Sequence, residues 1–390
     1  MNARSLPSPP GEQDPVAWMG TVALVAPLLA VYLAPSHALG AWLTWISALV
    51  LLVVLWLRSE YLPLALRSQW PVLLLCAWAV LSFAWSAPES VRAGDLETPL
   101  LVILFALAWS VLAACSALPG RTVGIALPLA AGASALAAIA FAWTEDVRLE
   151  GLGRLDNAVV AGGVWTCGFA LGLGTLLDLR RSGAAPAWLI AGLVAALGVT
   201  ALAVLLTQSR GPLLALLAAA LVVVTLYGGR RLVLAVGLLA LLALGIVALV
   251  LPEAFGRLGL MGLGRRLEGW QMALELFRAA PLLGRGLGTP ESLVLSGGHF
   301  LEHAHSVPLG IAVALGTVGL VIYLVVLAVA VLRIWSAAEP ALGVVAALAA
   351  GVLAGAVDGR LPFTRVDEAW LLLWVPVFLA LSLRGQAAGR

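Results

Sequence analysis

Residues 39–57 read LGAWLTWISALVLLVVLWL, nineteen positions without one charged side chain, and Arg58 ends the run. About twenty apolar residues in a helix cross a hydrocarbon core ~30 Å thick, and lipid offers the backbone no hydrogen-bond partner, so this stretch reads as a transmembrane helix. Working outward, the same pattern recurs at 17–34, 70–86, 98–115, 122–142, 158–177, 187–206, 212–227, 232–251, 307–332, 341–357 and 369–384, twelve runs in all. The fold class expected is therefore an all-α integral membrane protein of about twelve spans.

Composition supports that reading. Of 390 residues 62% are hydrophobic and 11% charged, with a mean hydropathy of +1.06, whereas soluble domains are about half apolar and about a quarter charged. Soluble, disordered and disulfide-scaffold classes are excluded. Cys76, Cys115 and Cys167 all lie inside apolar runs and read as small packing residues. The net charge of +2 gives no reason to expect a nucleic-acid partner. Residues 1–16 form a polar, proline-rich tail without a charged segment abutting the first apolar run, so that run is kept as a span and not as a signal peptide.

The arginines set the orientation. With the N-terminus in the cytoplasm, eleven of the twenty-two arginines fall inside with only five of the twenty acids. Both termini, including the tail 385–390, are then cytoplasmic. Trp18, Trp42, Trp70, Trp85, Trp143, Trp188 and Trp370 flank the spans and read as interfacial anchors.

The connection 252–306, between the spans of 17–251 and those of 307–384, is far longer than the others and lies on the outer face. A loop of that length is expected to contain structure and function. Leu267, Trp270, Leu274 and Phe277 recur at helical spacing opposite Glu268, Gln271, Glu275 and Arg278, which predicts an amphipathic helix at the membrane surface, ending at Pro281. The turn Leu282-Leu283-Gly284-Arg285-Gly286-Leu287-Gly288 follows, and it has no Walker lysine to make a nucleotide-binding P-loop.

Three of the four histidines, His299, His303 and His305, close this loop. Imidazole titrates nearest neutrality and suits a general base; the plainer alternative is a set of interfacial histidines in a wet loop. A metal is not expected, because there is no His-Glu-x-x-His pattern and the cysteines sit in distant spans. Arg210, in Thr207-Gln208-Ser209-Arg210-Gly211-Pro212, stands between apolar runs on the side where the charge bias disfavours it. A cation there is a functional candidate, with snorkelling to the interface as the alternative. Together with Arg265, Arg266, Arg278 and Arg285 it supplies guanidinium forks suited to phosphate oxygens. The outer acids Asp95, Glu97, Glu145, Asp146, Glu150, Asp156, Asp358, Asp367 and Glu368 read as solvated groups or arginine partners.

In this order, Thr-Gln-Ser-Arg-Gly (207–211), Arg266-Leu267-Glu268-Gly269-Trp270, Pro281-Leu282-Leu283-Gly284-Arg285-Gly286 and His303-Ala304-His305-Ser306 resemble the O-antigen ligase and polymerase superfamily of bacterial envelopes. Ser306 departs from the asparagine common there. The resemblance implies a GT-C-like membrane glycosyltransferase of the bacterial inner membrane, inverting and without metal or cofactor. It would take a glycan from undecaprenyl pyrophosphate at the periplasmic face and pass it to a hydroxyl of lipid A-core. It further implies that Arg210 and Arg266, with Arg265 and Arg285, hold the pyrophosphate, that His305 is the base and that His303 is auxiliary. An O-antigen polymerase using the same donor is the alternative, with the growing glycan as acceptor. A flippase or secondary transporter is a further one, disfavoured because the long loop and the histidines occur in one half of the chain only.

Overall fold

A computed structural model describes residues 14–87, 91, 93–116, 118–143, 148–183, 185–226, 263–289, 293–294, 300–337 and 341–383. The expected ninth span at 232–251, His299, the tail residues 1–13 and 385–390, and the side chain of Arg265 lie outside what is described.

Among the described residues the protein is almost entirely helical. The long apolar helices are α1 (Pro15–Leu33), α2 (His37–Leu57), α3 (Leu62–Leu81), α4 (Ala93–Cys115), α5 (Leu118–Phe141), α6 (Ala158–Ser182), α7 (Ala187–Leu206) and α10 (Val307–Trp335). Shorter apolar helices are α8 (Arg210–Leu226), α11 (Leu342–Asp358) and a final segment in which a π turn at Trp370–Trp374 leads into α12 (Val375–Leu381). Between α8 and α10 lie α9 (Leu263–Ala279) and a two-residue antiparallel ladder, Leu293–Val294 against Phe300–Leu301. Helix α6 is central, packing on α5, α7 and α11, while α10 packs on α3. Asn157 caps α6, its Oδ1 accepting from the amides of Val159 and Val160, which relieves the unpaired first turn.

Three expectations are corrected. The third span begins at Leu62 and not near 70, because the polar break Arg67-Ser68-Gln69 continues the helix: Gln69 is fully buried and its Nε2 donates to Ser110 Oγ at 2.8 Å. Trp370 is no interfacial anchor. It is fully buried, edge-on to Phe105 at 5.0 Å, and its indole donates to the Thr364 carbonyl. Helix α9 forms where the periodicity predicts it, with only part of its expected apolar face against the protein. Gly269, Ala273, Met272, Leu276 and Phe277 face the protein, against Leu293, Ala304 and Val313, while Leu267 and Leu274 stay exposed. Gly269 and Ala273 allow the closer approach, which leaves the bulkier leucines to the outside.

The glycine-rich turn after α9 fills a break in α10. Gly316 there has φ 68° and ψ −168°, so the helical ladder fails around it. Five of the backbone groups beside the break are paired from outside: the amides of Arg285 and Gly286 donate to the carbonyls of Val313 and Ala314 at 2.9 Å. Trp78 Nε1 donates to the Leu315 carbonyl at 3.0 Å. In the opposite sense, the amides of Thr317 and Val318 donate to the carbonyls of Pro281 and Leu282 at 2.8 and 3.3 Å. An unpaired group at membrane depth costs several kcal/mol, so a broken helix persists only where protein supplies such partners. A Cβ on Gly284 would come within 2.4 Å of the Gly316 amide, so the two backbones touch. Leu287 and Gly288 extend the contact, their amides donating to Ser82 and Ser86 at the end of α3. This interlock fixes the chain on both sides of the histidine segment.

Candidate active site

The segment His303-Ala304-His305-Ser306 leads directly into α10. His305 has φ 50°, a left-handed conformation that side chains other than glycine adopt at some cost. Its backbone amide donates to Nδ1 of His303 at 3.2 Å, and the two rings lie 4.3 Å apart. The His-x-His spacing thus has a local reason: one imidazole holds the strained backbone of the other. His303 pKa is lowered to about 4, first by burial, then by His305 and Arg360. It is therefore neutral near pH 7, with its Nδ1 lone pair available to accept.

His305 points at the end of α11. Its Nδ1 lies 3.0 Å from Oδ1 of Asp358, whose side chain is only 8% exposed. The other carboxylate oxygen accepts from Arg266 Nη2 at 2.6 Å. A carboxylate accepts, so His305 must carry its proton on Nδ1, and this leaves the Nε2 lone pair unspent. Asp358 therefore links α9, α10 and α11 through one side chain.

These groups open on a cavity of about 260 Å³. Its mouth holds Arg266, His303, His305, Asp358, Arg360 and Glu368; its floor is apolar, with Val160, Gly163, Pro212, Ala354 and Leu372, and Tyr323 also faces it. A polar mouth over an apolar floor suits a ligand with a charged or hydroxylated head and a hydrocarbon tail.

Of the arginines singled out in the sequence, Arg266 is in the cavity wall. Arg210 occupies the first residue of α8, next to Gly211 and Pro212, which line the cavity although Arg210 does not. The turn before it is held by Arg148, whose guanidinium donates to the Thr207 carbonyl and to Ser209 Oγ. Arg285 belongs to the interlock with α10, where its carbonyl accepts from Thr289 and its amide is bound to Val313; it does not line the cavity. Sequence reading left Asp358 and Glu368 among the ordinary outer acids and did not single out Arg360. Asp358 and Arg360 flank a glycine directly at the end of an apolar run, and that boundary position was the only trace of their role. Among the described residues no group of three or more His, Cys, Asp or Glu side chains is placed to hold a metal ion.

Comparison with known proteins gives the same direction. A family model described as O-antigen ligase matches residues 193–324, from α7 through the histidine segment into α10. An O-antigen ligase of Pseudomonas aeruginosa is 31% identical over 311 residues, which cover 79% of this chain and 75% of that protein.

Proposed function

The chain belongs to the O-antigen ligase family, and on that premise we propose that it moves a glycan from undecaprenyl pyrophosphate to a hydroxyl of lipid A-core. The observation that carries the reading is the Nδ1 of His305 held 3.0 Å from Asp358 beside the cavity. Nε2 is then the free basic nitrogen, in position to take a proton from the acceptor hydroxyl. The acceptor oxygen attacks the anomeric carbon from the face opposite the pyrophosphate. A carbon–oxygen bond forms, the bond from the anomeric carbon to the pyrophosphate oxygen breaks, and the configuration inverts. The proton passes to His305, and the leaving pyrophosphate stays on its lipid.

Arg266 in the cavity wall and Arg210 at the start of α8 are assigned to the pyrophosphate, where a fixed guanidinium charge offsets the charge that grows on the leaving group. Arg266 then exchanges Asp358 for phosphate oxygens as the donor arrives. Arg265 and Arg285 are retained only as secondary contributors, since the interlock already engages the Arg285 backbone. The apolar floor receives the beginning of the hydrocarbon chain. No metal enters these steps, the energy being carried by the donor. The charge bias supports placing the protein in the bacterial inner membrane with the cavity mouth at the periplasmic face. The start of α6, the start of α8, the start of α10 and the end of α11 all meet at that mouth, as that orientation requires.

The test is transfer from undecaprenyl-pyrophosphate-linked glycan to purified lipid A-core by the detergent-solubilised protein, with EDTA present and His305→Ala alongside. Product from the wild type alone supports the reading. Extension of the donor glycan without lipid A-core product assigns the polymerase activity instead, and equal product from His305→Ala removes the base.

A further inference from the structure

Following Asp358 in the chain, the loop between α11 and the final π turn supplies a second set of polar groups that the transfer chemistry does not use. Arg360 Nη2 donates to Asp367 at 2.5 Å and forms an ion pair with Glu368 Oε1 at 2.8 Å. Asp367 is held further by Thr364 Oγ1 and the Ala369 amide, which donate to its other oxygen at 2.9 and 3.0 Å. Arg360 and Glu368 are placed differently. Both line the cavity, where their side chains are 40% and 20% exposed, and Arg360 Nε is buried without a partner. Asn157, also in the wall, has its Oδ1 committed to the α6 cap and its amide donors unspent. Arg360 is near enough to His303 to help lower its pKa, so the pair sits beside the histidines.

The charge of this corner decides its ligand. Arg360 and Arg154 stand within electrostatic reach of the acids Asp367, Glu368 and Glu302, so the corner carries no net positive charge to draw in a pyrophosphate. What the corner offers the cavity are guanidinium N–H donors next to a carboxylate acceptor. A hydroxyl needs one of each. We propose that Arg360 and Glu368, assisted by Asn157, form a saccharide subsite that binds hydroxyl groups of a sugar ring next to the reacting centre and so sets sugar specificity. The sugar belongs to the donor's reducing end or to the acceptor, and the experiment separates the two. This inference rests on the glycan-transfer reading above.

The full chain in detergent is assayed with donor and acceptor concentrations varied separately, comparing wild type, Glu368→Gln, Arg360→Lys and Asn157→Asp. Glu368→Gln leaves Arg360 held by Asp367, and Asn157→Asp keeps the helix cap, so both preserve the local fold. A KM raised about ten-fold for one substrate, with kcat and inhibition by inorganic pyrophosphate little changed, is the expected result. A rise for the donor glycan assigns the sugar to the donor; a rise for lipid A-core assigns it to the acceptor. Unchanged KM values for both overturn the subsite while the wild-type turnover leaves the transfer reading standing. Weakened pyrophosphate inhibition overturns it too, by making the corner an anion site. If the wild type shows no transfer, the transfer reading fails by itself. Equilibrium binding of the delipidated core oligosaccharide and of the undecaprenyl-pyrophosphate-linked glycan then decides the subsite: weakened about ten-fold for one of the two by Glu368→Gln if it is correct, unaffected for both if it is not.

Discussion

His305 Nδ1 and Asp358 Oδ1 are 3.0 Å apart, and the same carboxylate holds Arg266 through its other oxygen. The bond selects the tautomer in which Nε2 can act as a base. Asp358→Asn keeps the shape but offers an amide in place of the carboxylate, so kcat should fall on the order of a hundred-fold or more with donor KM little altered. His305→Ala should reduce transfer to background with the protein still monodisperse. Steady-state assay and size-exclusion chromatography check both, and a near-normal kcat in Asp358→Asn would remove its orienting role.

Arg266→Lys tests the fork. Lysine keeps the charge and can still reach Asp358, but it cannot offer two parallel N–H groups to a phosphate. Donor KM should rise about ten-fold, as should the concentration of inorganic pyrophosphate needed to inhibit. Arg210→Lys should also impair transfer; wild-type kinetics there would return Arg210 to a snorkelling role at the membrane surface.

Two groups near the mouth titrate in opposite senses. The folded protein keeps His303 neutral, with its pKa lowered from 6.5 to about 4, so its stabilising contribution is complete above pH 6.5 and is lost as the pH falls towards 4. Asp367 is raised from 3.8 to about 7, first by burial and next by Glu368, against the pull of Arg360. Its contribution is complete below pH 3.8 and is lost as the pH rises towards 7. In the wild type they oppose each other. Thermal unfolding should therefore show Tm rising in His303→Gln, relative to wild type, as the pH is lowered from about 7 to about 5, and falling in Asp367→Asn. The same slope in all three proteins would refute the assignment.

Gly284→Ala and Gly316→Ala should each destabilise the protein by ~2 kcal/mol or more, because both backbones are left-handed and an added methyl meets main-chain atoms. A Cβ on Gly316 would stand 2.2 Å from the Leu282 carbonyl oxygen. The expected outcome is a lower Tm and a reduced yield of monodisperse protein. Unchanged thermal unfolding in both variants would argue against the interlock.

Hydropathy alone made the protein a membrane-embedded helical bundle, because length and the absence of charge are local properties of a run such as 39–57. The same local logic located α9, the histidine segment and Arg266. It misjudged the environment of Trp370 and did not show which residues of α9 pack on the protein, because which side of a helix is buried depends on what packs against it. Likewise the turn 282–288 showed its glycines in the sequence, but its partner did not: the break at Gly316 lies inside an apolar run that reads as uninterrupted helix.

Legible in the sequence were the membrane as solvent, the apolar helices that cross it, and the residue types available for chemistry. Tertiary structure alone decided that Asp358 would be the hub joining Arg266 to His305, that Arg285 would lie outside the cavity wall, and that Arg360 and Glu368 would face the cavity. The physical reason is distance along the chain. Arg266, His305 and Asp358 come from three elements, 39 and 53 positions apart, and an ion pair or hydrogen bond depends on ångström-scale separations that only helix packing sets.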